Sequence, residues 1–251
     1  SWAVAVAGGG PPDASMAHWG IFESMAEALE PLEDYAARSE NMKREHYFDV
    51  HWDLNWYGDH MLALPFRVNS QVIMYDKHTF AEAGLDPERP PQTWPELEAY
   101  ARRLTRREED RTTRFGFSFR DATYSRTVNH FAERNGWQPF NRSFTEAYYG
   151  DNKLVQAVEF LNGMVSEGIA TLRGLPYTGQ LGAGRVGMLN DGPWALNTQL
   201  VANPEMEIGA FLPPLGPSGA PPYANIGGEN LVIFKDSPNK EAAWKWISYL
   251  A

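Results

Sequence analysis

The stretch GRVGMLNDGPWALN, Gly184 to Asn197, runs from an apolar Met-Leu pair into an Asn-Asp-Gly-Pro turn and straight on to Trp194. A turn of that composition at a strand end can project an indole outward, where its flat face stacks on C–H groups; the competing placement is a half-buried core tryptophan under a loop. His18 and Trp19 follow the small residues Gly8, Gly9 and Gly10 and the turn Gly10-Pro11-Pro12-Asp13, where a backbone without side chains can lie close to a guest. Asp13 in that setting also suits a turn cap. Asn69 carries an amide that both donates and accepts, which matches a hydroxyl, and Arg67 beside it suits either a ligand or a salt bridge. Tyr124, Ser125 and Arg126 open a helix whose free N–H groups favour oxygen-rich ligands, unless Thr123 or Ser125 simply caps it. Glu229 follows Gly227 and Gly228, and its carboxylate can accept two hydroxyl hydrogen bonds or face solvent.

Other chemistry is ruled out by composition. The chain has no cysteine, so disulfides, thiolate zinc sites and a cysteine nucleophile are absent. The six histidines, at 18, 46, 51, 60, 78 and 130, form no i, i+4 pair and no HExxH, which argues against zinc. Adjacent tyrosinates can hold ferric iron, but Tyr148 and Tyr149 in EAYYGD read as a surface turn with aromatic stacking. There is no G-x-S-x-G and no phosphate-binding Walker loop. A formal charge of −10 disfavours nucleic acid or an anionic membrane as the main partner. No run reaches the roughly 18 apolar residues of a membrane-spanning helix, and SWAVAVAGGG lacks the basic start of a signal peptide, so an export signal is expected to lie outside this sequence.

These residues need elements to hold them. With 251 residues and 43% hydrophobic side chains, the chain can build one large or two ordinary domains. Ile21 to Leu32 is helix-like, and Gln71 to Tyr75 reads as a strand. DKHTFAEAGL reads as a helix closed by Gly84, and the segment from Thr93 as a helix with Thr93 at its N-cap, Pro95 at N1 and Glu96 early in the first turn. RTTRFGFSF is a strand, TYSRTVNHFAERNG a helix, and NKLVQAVEFLNGMVSEG a helix with Leu154, Val155, Val158, Leu161 and Val165 at a 3.6 period. EIGAFLPPLG starts as a strand, and LVIFKDSPNKEAAWKWI is a strand, a turn with Ser237 as N-cap, and a helix. Alternating helices and strands predict an α/β architecture. Both ends look cut, as in an internal piece of a longer protein.

Four phrases in this order resemble the extracellular solute-binding proteins of ABC importers, the large family that includes maltose-binding and other sugar-binding proteins: GGGPPDASMAHW, LPFRVNSQVIMYDKHTFAEAGLDPERPPQTWPELEAYARRLT, GRVGMLNDGPWAL and GGENLVIFKDSPNKEAAWKWISYL. The resemblance implies a two-lobe α/β fold of the periplasmic-binding-protein type II class, incomplete at both ends, whose lobes close on a ligand in the cleft between them. It places residues 1 to 66 in the first lobe, 70 to 224 in the second, and 227 to 251 back in the first. It implies a monomer outside the cytoplasm, periplasmic or a cell-surface lipoprotein, that hands a carbohydrate to membrane permease subunits and is not an enzyme. A sugar presents hydroxyls at its edge and C–H patches on its faces, so its site needs flat aromatics and planar amides or carboxylates. At the matched positions the contacts would be Trp194, Trp19, His18, Asp13, Asn69, Arg67, Tyr124, Ser125, Arg126, Gly228 and Glu229, with no metal and no cofactor. The string GAGRVG, Gly182 to Gly187, has the form G-x-G-x-x-G, but the resemblance sets it ahead of a strand and not at the opening of a helix.

Two rivals stay open on sequence alone. A glycoside hydrolase would need two carboxylates roughly 5 to 10 Å apart, and none of the four phrases is a hydrolase signature. The same fold could hold a polyamine among aromatics; Arg67 and Arg126 weigh against a polycation and leave room for a sugar phosphate.

Overall fold

The computed structural model describes residues 2–18, 25–119, 124–141, 145–172, 179–223 and 226–251. The chain divides into two compact units, Ser1–Asn69 with Ile226–Ala251, and Ser70–Asn225.

The first unit is built on an antiparallel sheet in the order β1 (Ala14–His18), β11 (Gly227–Ile233), β4 (Leu64–Asn69), so its central strand arrives from late in the chain. The run Leu231 to Phe234 lacks polar alternation because both faces are covered. Leu231 and Ile233 pack with Leu32, Met61, Leu64, Trp244 and Ile247, while Val232 and Phe234 pack with Ala17, Leu29, Leu62 and Ala63. β4 lies at the sheet edge, where a strand tolerates Pro65, and the register slips between Glu229 and Asn230 so that Phe66 bulges. Around this sheet lie α1 (Trp2–Ala7), α2 (Glu33–Ala37), α3 (Asp49–Asp53) and the hairpin of β2 (Trp56–Tyr57) and β3 (His60–Met61).

The helix expected from Ile21 to Leu32 is not what the described part of that segment forms. Residues 26–28 make a single 3-10 turn, Leu29 bridges Phe234, and the Glu30 N–H donates to the Ile233 carbonyl at 2.9 Å. Pro31 has no N–H to continue a helix, and the strand edge supplied by distant sequence captures the residues before it.

The second unit holds a six-stranded mixed sheet. Its order is β10 (Ile208–Phe211), β5 (Val72–Asp76), β9 (Val186–Asp191), β7 (Arg111–Phe119), β6 (Arg106–Glu108), with β8 (Ala170–Thr171) also against β7. β9 runs parallel to β7 and antiparallel to β5, and all six of its residues are buried. α4 (Lys77–Glu82) is capped by Asp76, which accepts from the Thr79 N–H at 3.0 Å. In α5 (Trp94–Leu104), Thr93 caps the first turn as expected, but the first helical residue is Trp94 and Pro95 stands second, where its missing N–H is equally harmless; the Glu96 carboxylate reaches back to the Gln92 N–H at 2.7 Å. α5 buries Trp94, Leu97, Ala101 and Leu104 against β7, where Gly116 permits the contact: a Cβ there would overlap the Ala101 carbonyl. α6 (Tyr124–Arg134) and α7 (Asn152–Ser166) complete this core with Phe131, Leu161 and Met164. α8 (Leu196–Ala202) follows β9, and α9 (Lys240–Leu250) returns to the first unit with Ala243, Trp244 and Ile247 buried. Among the described residues no helix is long and apolar enough to cross a membrane.

Candidate functional site

In the second unit the chemistry gathers at the end of β9. Asn190 and Asp191 turn inward. The Asn190 amide donates to Thr127 Oγ1 at 2.8 Å, and Asp191 Oδ1 accepts from the Gly192 N–H at 2.8 Å. Pro193, Trp194 and Ala195 then form one 3-10 turn, closed by the Ala195 N–H on the Gly192 carbonyl at 3.0 Å and leading into α8. Ala195 is buried with Met74, Leu181, Val186, Leu189 and Met206, which fixes the turn to the core. Trp194 is left 42% exposed, whereas Trp94 and Trp137 are 4% and 0% exposed. The turn therefore presents an aromatic surface that the core does not use. At the start of α6, Arg126 is exposed; the side chains of Tyr124 and Ser125, and Thr123 before them, lie outside the described residues.

In the first unit the strand register creates an arrangement that sequence spacing does not reveal. His18 on β1 pairs with Glu229 on β11, and Glu229 pairs with Arg67 on β4, so the three stand in one row across the sheet. Gly227 pairs with Asn69 two residues along. Arg67 lies over the Phe66 ring, 4.9 Å from its centroid, and its Nη2 reaches the Met16 sulfur at 3.3 Å. Met16, a residue the sequence did not single out, thus helps hold the guanidinium. Neither Glu229 nor Asn69 has a side-chain hydrogen bond or ion pair among the described residues, so both keep their full capacity for a hydroxyl-rich guest. Trp19 lies outside the described residues.

Two of the sequence candidates are engaged elsewhere. Asp13 stands at the opposite end of β1 from His18. It accepts from Ser237 Oγ at 2.6 Å and from the Asn239 amide at 3.3 Å, tying β1 to the turn before α9. We expect Asp13→Ala to lower the unfolding free energy by about 1 kcal/mol, the usual cost of a lost cap, in urea denaturation. A loss of sugar affinity with unchanged stability would return Asp13 to the ligand. Gly228, read as a point of ligand approach, is needed by the sheet itself: a Cβ there would overlap the Arg67 carbonyl.

Of the adjacent pair Tyr148 and Tyr149, the second belongs to an aromatic cluster. Tyr149 packs edge-on against Trp137 and Phe140, with centroids 5.5 and 5.9 Å away. The Tyr148 hydroxyl donates to Glu146 at 2.9 Å, and that bond, with burial and the Glu146 charge, pushes the phenol up and so disfavours the tyrosinate iron would need. Among the described residues no three His, Cys, Asp or Glu side chains are grouped to hold a metal ion.

Residues 1–251 match a family model described as bacterial extracellular solute-binding protein. The fold superposes with a TM-score of 0.85 on an ABC transporter solute-binding protein from Thermotoga lettingae bound with α-D-tagatose, at 25% identity, covering 99% of this chain and 65% of that one. A binding protein of Brucella abortus (strain 2308) is 24% identical over 195 residues, 75% of this chain and 46% of the relative. The sn-glycerol-3-phosphate-binding periplasmic protein of Escherichia coli (strain K12) is 49% identical over 45 residues, 18% of this chain and 10% of that protein. The chain thus spans under half the length of the Brucella relative it matches.

Proposed function

Since the chain belongs to the bacterial extracellular solute-binding protein family, we propose that it captures a carbohydrate outside the cytoplasm and delivers it unchanged to an ABC importer permease. The observation that carries this reading is Trp194, a half-exposed indole on a turn whose backbone is locked on both sides. An indole face covers the C–H patch of a pyranose or furanose ring. On the first unit, Glu229 and Asn69, which have no side-chain hydrogen bond or ion pair among the described residues, offer acceptors and a donor suited to hydroxyls. Binding of this kind involves no bond breaking, and the protein acts as a receptor and not as an enzyme.

A second reading keeps the fold and changes the guest to a sugar phosphate or glycerol phosphate. It is favoured by the 49% identity over 45 residues to the sn-glycerol-3-phosphate-binding protein. Each unit carries an exposed arginine suited to a phosphate, Arg67 on the first and Arg126 on the second.

A thermal-shift panel of α-D-tagatose, mannobiose, maltose, sn-glycerol 3-phosphate and glycerophosphocholine separates the two. Ligand at one hundred times its dissociation constant is expected to add about 2.7 kcal/mol of stability. A rise confined to the phosphorylated compounds would replace the first reading by the second, and no rise across a broad sugar and polyol panel would overturn the carbohydrate assignment.

A further inference from the structure

We propose that Gly192 is a positioning residue for Trp194: its bare Cα is the seat on which the indole rests, and it sets where the aromatic surface points before any guest arrives. The proposal rests on the reading of Trp194 as a sugar-stacking residue.

Gly192 has φ −106° and ψ 174°, angles open to any residue, so the backbone does not call for glycine. Space does. A Cβ built on Gly192 would overlap Cη2, Cζ3 and Cζ2 of Trp194, three adjacent atoms of the six-membered indole ring. The ring therefore folds back against the residue two positions before its own. The backbone beneath it is already fixed. Pro193 restricts its own φ, Asp191 holds the Gly192 N–H at 2.8 Å, the Ala195 N–H holds the Gly192 carbonyl at 3.0 Å, and the buried Ala195 anchors the exit. The orientation of the Trp194 ring is then a matter of two side-chain torsions, and the wells the ring occupies are ones in which it lies against Gly192.

Such seating matters because an aromatic that must be ordered on binding loses part of the contact energy to immobilisation, while one already in place does not. A methyl group at position 192 leaves the turn intact and takes away the seat. The ring must then rotate off it, and the exposed aromatic surface points elsewhere.

The test is a double-mutant cycle on the whole chain: wild type, Gly192→Ala, Trp194→Ala and the double variant. Thermal unfolding without ligand is read first. With the indole present, Gly192→Ala is expected to lower Tm by about 2 to 4 °C; in the Trp194→Ala background it should have no measurable effect, because the clashing atoms are gone. Equal shifts in both backgrounds would show that the ring does not rest on Gly192 and would overturn the proposal. The same four proteins are then titrated with α-D-tagatose, mannobiose and sn-glycerol 3-phosphate. Both single variants should lose at least about tenfold in affinity for whichever of these the wild type binds, and the double variant should bind no more weakly than Trp194→Ala alone. If Trp194→Ala is weakened and Gly192→Ala binds like wild type, the positioning role falls and the sugar reading stands. If Trp194→Ala binds like wild type, the sugar reading falls and takes this role with it. Should the wild type bind none of the three, the unfolding cycle alone decides whether Gly192 seats the indole.

Discussion

Trp194→Ala is expected to weaken carbohydrate binding by more than about 1 kcal/mol, with a loss of about 2 kcal/mol or above if the indole is a hot spot. Folding should be largely kept. At 42% exposure the ring contributes little to the core, and the buried anchor of the turn is Ala195, which the substitution leaves untouched. Calorimetric titration beside a urea denaturation curve separates the two outcomes. Intact affinity together with a large stability loss would mean that the indole is a structural residue, and would remove the main support for the carbohydrate reading.

The same substitution at Trp94 should do the opposite. Trp94 is 4% exposed at the first position of α5, stacked on Phe160 with centroids 4.8 Å apart and rings 15° from parallel. Trp94→Ala is expected to cost about 3 to 5 kcal/mol in unfolding free energy, a large share of the roughly 5 to 15 kcal/mol that holds a domain together. Trp94→Phe should cost much less. The indole Nε1 of Trp94 is buried without a hydrogen-bond partner among the described residues, and phenylalanine keeps the stack while removing that donor. A loss below about 1 kcal/mol for Trp94→Ala in chemical denaturation would show that the site collapses around the cavity, contrary to the packing described.

Elements marked by local chemistry were legible in the sequence. Thr93 with Pro95, the strand Arg111 to Phe119, the strand Val72 to Asp76 and the helix ending near Gly168 all announce themselves within a few residues of their own positions. Elements decided by distant partners were not. Ile21 to Leu32 reads as helix-like, yet Leu29 is drawn into a bridge with Phe234. The apolar stripe of α7 was read through Leu154, Val155, Val158, Leu161 and Val165, but its buried line is Ala157, Leu161 and Met164, and Val155 is 43% exposed. The packed neighbours choose the centre of the stripe, and small Ala157 is fully buried within it. Ser237 was read as the N-cap of α9; the residue before the helix is Asn239, whose N–H donates to Ser237 Oγ at 3.0 Å. The site divides in the same way. The projection of Trp194 follows from its turn, whereas the row His18, Glu229, Arg67 needs a register between three remote strands, and the seat at Gly192 needs a side-chain torsion.

The late arrival of β11 has a bearing on how the chain is made. As residues leave the ribosome, Ser70 to Asn225 form an uninterrupted stretch that carries every strand of its own sheet. The earlier segment is stranded by comparison: β1 and β4 emerge first, yet each hydrogen-bonds to β11 and not to the other. Until Gly227 to Ile233 are synthesised, those two strands present open ladders and the apolar faces of Ala17, Leu62 and Leu64 to solvent. Closing so distant a pairing is slow, and uncovered strand edges are what holdase chaperones protect and aggregation exploits. Strands β1 and β4 therefore wait for β11, while Ser70 to Asn225 already have all the strands of their own sheet.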